Sequence, residues 1–226
     1  MQFWLPILAI VFSYILGSLP TGLIIVKIST GKDVRGVGSG RIGGTNAMRA
    51  AGFWAGLGTA IVDMLKSTTA VWLALFLFPD NPWLHILAPL AAVLGHNYSI
   101  FLVRMNHNGR LDLGGGAGGA PTVGGALGLW PPSILIILPL GALIFYFIGY
   151  ASVTTMSVAL ITTLIFAYRA WIGVSPWQYV LYGVVAEILL LWSLRPNIER
   201  LLSGTERVVG YRARKKEEVS YKSDTS

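Results

Sequence analysis

Long apolar runs alternate with short polar segments along the chain. Runs at about 3–26, 53–78, 83–103, 133–150, 154–172 and 177–193 approach or exceed the roughly 20 residues that an α-helix needs to cross a bilayer's hydrocarbon layer. A further run at 117–130 is shorter and rich in Gly, Ala and Pro, and is either re-entrant or packed inside the bundle. The pattern predicts an all-α, polytopic membrane bundle of about seven helices. Small residues such as Gly17, Gly22, Gly141 and Ala142 suit close helix contact, because lipid supplies no hydrophobic drive between helices.

An odd number of spans puts the termini on opposite sides. The first loop carries Lys27, Lys32, Arg35, Arg41 and Arg49, the third carries Arg104 and Arg110, and the segment after the last run carries Arg195, Arg200, Arg207, Arg212, Arg214, Lys215, Lys216 and Lys222. All three fall on one side. The opposite connections, near Pro79 to Pro82, Pro131 to Pro132 and Gly173 to Pro176, hold no Lys or Arg, although Arg169 lies close to one. The positive-inside rule then sets the N-terminus outside and the C-terminus in the cytoplasm of a cell bounded by this inner or plasma membrane. The first run lacks a basic stretch ahead of it, so it reads as a retained helix and not as a signal peptide. Residues 1–210 are expected to form a single transmembrane domain, and 211–226 a basic, mobile tail near anionic headgroups.

Composition agrees with this reading. Of 226 residues, 54% are apolar and 12% charged, about half the charged share of an ordinary globular domain. The formal charge of +7 suggests nucleic acid, but the basic residues sit in short loops where they encode orientation, so the expected partner is the bilayer and not nucleic acid. The absence of cysteine excludes a disulfide framework, thiolate metal ligands and a cysteine nucleophile.

The chemistry is concentrated in the loops. Between the first two runs lies KDVRGVGSGRIGGTNAMRAAG, 32–52, with five glycines from Gly36 to Gly44. Glycines let backbone N–H groups converge on an anion, and Arg35, Ser39, Thr45, Asn46 and Arg49 offer further donors, so the segment predicts a phosphate or carboxylate site. The helix that begins near Ala47 adds its N-terminus. A tight turn between helices is the alternative. A second cluster, GGGAGGAPTVGG at 114–125, follows a polar stretch with His107, Asn108, Arg110 and Asp112 on the same face, and reads as a partner cradle or as a flexible linker. GHNYSIFL at 95–102 sets His96 and Asn97 at the inner end of the third run. Asp63 and Lys66, three apart, share a helix face and can pair; ionisable groups inside a span mark a site or a structural ion pair. At the last membrane boundary stand Asn197, Ser203, Gly204, Thr205 and Glu206.

Together these segments resemble the acyl-phosphate-dependent glycerol-3-phosphate acyltransferases (PlsY type), bacterial membrane enzymes of phospholipid synthesis. The likeness is carried by GSLPTG at 17–22, GKDVRGVGSGRIGGTN at 31–46 with Arg49 and Gly52, DMLK at 63–66, GHNYSIFL, the glycines of 114–119, Tyr150 with Ser152, and Asn197-Ile198 leading to Gly204 and Glu206. The resemblance implies a seven-helix bundle with its active site at the cytoplasmic face. It implies acyl transfer from acyl phosphate to the sn-1 hydroxyl of glycerol 3-phosphate, without metal, cofactor or an assigned side-chain base. Arg35, Gly38, Ser39, Gly40, Gly43, Thr45, Asn46, Arg49, Gly115, Gly116, Gly118, Ser152, Asn197 and Glu206 would bind substrate, supported by Asp63, Lys66, His96 and Asn97.

This chain departs from the pattern at three positions. Arg41 stands where the family has Asn, Ala117 where it has Lys, and Leu194 where it has His. It also carries about nine extra residues around Arg104 to Leu113. Arg41 or Arg110 would then have to replace the missing cation. Two alternatives follow from these departures: a divergent paralogue that acylates another polar acceptor, or a non-catalytic lipid- or anion-binding protein. Chain length of the acyl donor and oligomeric state are not encoded in these features.

Overall fold

Pro20 divides the first apolar run. Proline lacks a backbone N–H and its ring clashes with the preceding turn, so the run forms two helices, α1 (Trp4–Ser18) and α2 (Thr21–Thr30). The other helices are α3 (Gly44–Ala51), α4 (Phe53–Leu77), α5 (Pro82–Asn97), α6 (Gly119–Leu129), α7 (Ile134–Leu143), α8 (Ala151–Trp171), α9 (Gln178–Ser193) and α10 (Arg195–Leu202). A two-stranded antiparallel ribbon, β1 (Val103–Met105) and β2 (Leu111–Leu113), lies between α5 and α6. This computed structural model describes residues 4–105, 109 and 111–213. His107, Asn108, Arg110 and the expected tail from 214 onward lie outside the described residues, whereas 210–213 form a helical turn.

Among the described residues five segments are long and apolar enough to cross a membrane: Trp4–Thr30, Phe53–Leu77, Pro82–Leu102, Pro131–Ile148 and Ala151–Trp171. α9 and α10, bent by 68°, make a sixth when taken as one broken span. The run expected at 117–130 is α6, only 11 residues long. At 1.5 Å per residue it covers about 16 Å, well short of a hydrocarbon layer of roughly 30 Å. Length and apolarity thus give five spans, or six with the bent pair, where the hydropathy pattern predicted about seven.

α6 is short because it is interior. Pro121 to Ala126 and Gly128 are buried, and a Cβ on Gly124 would stand 1.9 Å from the Met64 carbonyl oxygen. α6 can therefore approach α4 closely only with glycine there. The same device joins α1 to α5, where a Cβ on Gly17 would meet the Ala92 carbonyl and one on Gly95 the Tyr14 carbonyl, each at 2.1 Å. Around α6 the core gathers Ile86, Leu90, Ile137, Val158, Phe166 and Tyr182. The Tyr182 hydroxyl donates to the Thr122 carbonyl at 2.8 Å, which satisfies a polar atom that would be costly to bury alone. The outer helix faces carry Leu8, Phe12, Phe76, Leu135, Leu164 and Ile188 exposed. An apolar exterior over a small-residue interior is the arrangement that lipid favours.

Candidate functional site

Where the chain breaks at Pro20, the Leu19 carbonyl accepts from the Thr21 N–H at 2.9 Å and from a charged side chain as well. Lys66 Nζ donates to Leu19 O at 2.5 Å and to Thr21 Oγ1 at 3.0 Å, and pairs with Asp63 Oδ1 at 2.7 Å. The Thr21 hydroxyl donates to the same carboxylate, and His96 Nδ1 lies 3.5 Å from it. Asp63 is 1% exposed and Lys66 4%, so neither charge would be tolerable alone. This cluster forms the floor of a cavity of about 430 Å³, a size usual for small-molecule sites. Asp63 and His96 reach the cavity; Lys66 sits behind them.

The first wall is the glycine-rich loop, and Asn46 shapes it. Its Nδ2 donates to the carbonyls of Val34, Val37 and Arg41, and its Oδ1 accepts from the Ser39 N–H at 3.3 Å. Gly38 adopts φ +55° beside it, and a Cβ there would stand 2.2 Å from Asn46 Oδ1, so glycine is required on both counts. α3 starts on the cavity wall at Gly44 and Thr45. The first N–H groups of a helix have no internal acceptor, and among the described residues those of Gly44 and Thr45 find none.

The second wall is the segment after β2, which lies on the end of α5. The Gly116 N–H donates to His96 O at 2.8 Å and the Ser99 N–H to Gly114 O at 2.9 Å. A Cβ on Gly116 would stand 1.9 Å from His96 Nε2, and one on Gly115 2.2 Å from Asn97 O. Arg41 ties this segment to the end of α9: its Nη1 donates to Gly116 O at 3.3 Å and Ser193 Oγ at 2.8 Å, and its Nη2 to the Ser193 carbonyl. The third wall comes from α10 and the loop after it. Glu206 accepts from Asn197 Nδ2 at 3.0 Å and from Arg200 Nε at 3.2 Å. Asn197 Oδ1 and Ser152 Oγ, both on residues of the cavity wall, are buried without a hydrogen-bond partner. Such atoms call for a partner that the described residues do not supply.

Of the residues singled out from the sequence, Gly38, Ser39, Gly43, Thr45, Asn46, Arg49, Gly118, Ser152, Asn197 and Glu206 line the cavity, with Asp63 and His96. Arg35 does not; it forms a 2.6 Å ion pair with Asp33 at the surface. Gly40, Gly115, Gly116 and Asn97 also stand outside the wall, the last three because they pack the second segment onto α5. Asn46 is placed as expected, but its amide is spent on the loop. Sequence reasoning missed Arg200, Arg207 and Thr155, which also line the cavity. A cation every few residues from Arg195 to Arg207 was the available signal, and it was absorbed into the orientation argument.

Among the described residues Arg41, Arg49 and Arg207 face the cavity without a carboxylate partner. Burial, and for Arg49 also the charge of Arg207, holds both the Arg41 and the Arg49 guanidinium below the ordinary arginine value. An arriving anion would relieve that. The opposite flank is apolar, with Met48, Phe53, Leu57, Ala60, Phe145 and Ala151.

Comparison with known proteins identifies the family. Residues 7–204 match the family model described as glycerol-3-phosphate acyltransferase. The glycerol-3-phosphate acyltransferase 2 of Moorella thermoacetica is 37% identical over 210 residues, covering 93% of this chain and 100% of that protein. The glycerol-3-phosphate acyltransferase of Rubrobacter xylanophilus is 38% identical over 92% of this chain and 98% of its own. The crystal structure of PlsY, an integral membrane glycerol 3-phosphate acyltransferase, in its glycerol 3-phosphate form superposes with a TM-score of 0.77 at 30% identity, covering 91% of this chain and 96% of that one. Its lysophosphatidic acid form gives 0.75 at 28% identity. This chain is a multi-pass membrane protein and belongs to the glycerol-3-phosphate acyltransferase family of enzymes.

Proposed function

We propose that the cavity transfers a fatty acyl group from acyl phosphate to the sn-1 hydroxyl of glycerol 3-phosphate, giving lysophosphatidate and inorganic phosphate. The observation that carries this reading is the pairing of three guanidinium groups free of carboxylate partners with an apolar flank in one cavity. Two phosphate groups need cations and N–H donors, and a fatty chain needs a route that avoids water. Arg49, Arg207 and the Gly44 and Thr45 N–H groups serve the first need, while Arg41, whose donors are spent on Gly116 and Ser193, adds its charge. Phe53 and Leu57 serve the second: they line the cavity and are 60% and 38% exposed, which suits a path for the acyl chain.

The chemistry asks little else of the protein. Acyl phosphate is a mixed anhydride with a good leaving group, so no covalent nucleophile is required. The hydroxyl oxygen attacks the carbonyl carbon, the acyl C–O bond to phosphate breaks, and the hydroxyl proton passes to a phosphate oxygen, whose second pKa near 6 suits it. Catalysis is then alignment plus neutralisation of charge. Ser152 Oγ and Asn197 Oδ1, buried and lacking partners, are placed to hold the acceptor's hydroxyls. The site opens on the cytoplasmic face of the plasma membrane, in keeping with the basic residues around it. The test is product analysis: purified protein given palmitoyl phosphate and glycerol 3-phosphate should form lysophosphatidate detectable by mass spectrometry. Product from glycerol or another polyol, with none from glycerol 3-phosphate, would instead support the divergent acceptor.

A further inference from the structure

The ribbon of β1 and β2 pairs Val103 with Leu113, Arg104 with Asp112 and Met105 with Leu111. Residues directly opposite in an antiparallel pair share a face, and alternate residues along a strand do too. One face is therefore Val103, Met105, Leu111 and Leu113, wholly apolar, and the other is the Arg104–Asp112 pair. None of the apolar four is covered: Met105 is 73% and Leu111 74% exposed. A ribbon standing free in water has no reason to carry such a face.

The position of the ribbon points to an occupant. β1 follows directly on the apolar span Pro82–Leu102; near its end Ile100 and Phe101 are exposed while Leu102 is buried, so the apolar face of the ribbon continues an exposed apolar surface. Three residues of strand extend about 10 Å, while the interfacial layer beyond the hydrocarbon is roughly 5–7 Å deep on each side. The ribbon therefore cannot travel far from the membrane whichever way it runs. Its other face, Arg104 and Asp112, is charged and exposed, which suits the water and headgroup side of the interface. We propose that the ribbon lies flat in the membrane interface, with Val103, Met105, Leu111 and Leu113 against the acyl chains of the lipid, as an anchor for the glycine segment that follows β2 and forms the second wall of the cavity. This inference rests on the chain's membrane location and stands whatever acceptor the cavity takes.

The absence of cysteine makes the test clean. Single variants Met105→Cys, Leu111→Cys, Arg104→Cys and Asp112→Cys are nitroxide-labelled and the proteins reconstituted in phosphatidylglycerol and phosphatidylethanolamine vesicles; all four sites are exposed, so labelling disturbs no buried contact. Collision rates with molecular oxygen, which concentrates in lipid, and with a water-soluble nickel chelate are then compared. The expected result is an oxygen preference at 105 and 111 and a chelate preference at 104 and 112. Chelate preference at all four would put the ribbon in water, and protection of 105 and 111 from both reagents would mean that protein covers the face; either result overturns the proposal.

Discussion

Arg49 and Arg41 both line the cavity, yet the structure gives them different work. Arg49 has no protein acceptor among the described residues, so in the proposed reaction its loss removes a substrate contact. Arg49→Ala should lower kcat/KM about ten- to hundredfold, the value of a hydrogen bond to a charged group, with Arg49→Lys recovering part of it. Arg41 instead holds Gly116 and Ser193 together through three donated bonds. Arg41→Ala should lower kcat by about tenfold or more with a smaller change in KM, and Arg41→Lys should rescue poorly because one ammonium cannot copy a guanidinium fork. Equal effects of both arginines on KM would remove this distinction. His96 supplies a third test, since a general base is worth about 10²–10⁴ in rate. If a substrate phosphate takes the proton, His96→Gln should cost less than tenfold in kcat; a loss of a hundredfold or more would assign the base to His96. The sequence showed that these residues bear charge or polarity. It could not show which were already occupied by the protein, and so Arg35, paired with Asp33, and Asn46, spent on its own loop, read there as ligands.

At the scale of elements, the break in the first helix and the buried charges of α4 are one construction. Pro20 ends α1, and Lys66 adds a donor to the Leu19 carbonyl at the break, with Asp63 balancing the charge. Lys66→Met should therefore cost about 3–5 kcal/mol by stranding Asp63, and the double variant Asp63→Asn, Lys66→Met should be less harmful than Lys66→Met alone; thermal unfolding in detergent measures both. The pairing of Asp63 with Lys66 was legible from their spacing, whereas the break was hidden inside a continuous apolar run. Glycines divide in the same way. Gly124 has the Met64 carbonyl 1.9 Å from where its Cβ would be, while Gly36 has open space. Gly124→Ala should cost at least the 1–3 kcal/mol of an overpacked core, and Gly36→Ala should change stability little, although both sit in segments that look equally rich in glycine. The ribbon was not legible as structure at all, because two strands of three residues are too short to show an alternation.

The bundle as a whole places its basic loops, glycine segments and α10 around one cavity, with an apolar exterior on the remaining surface. Hydropathy located the apolar runs within a few residues because length and burial in lipid are properties of local sequence. The role of α6 was not local: its 11 residues are interior only because α4, α5, α8 and α9 surround them. The orientation proposed for the bundle predicts that an impermeant thiol reagent applied to right-side-out cells labels Asp80→Cys but not Ser203→Cys; the opposite pattern would reverse it. In the reaction proposed for this cavity the donor is acyl phosphate. Phosphate release from palmitoyl phosphate by the purified protein, with and without glycerol 3-phosphate and beside palmitoyl-CoA as an alternative donor, tests it most directly. Acceptor-dependent release that Arg49→Ala largely abolishes, with no comparable transfer from the thioester, is expected; transfer from palmitoyl-CoA alone, or release indifferent to Arg49, would overturn the acyl-phosphate reading.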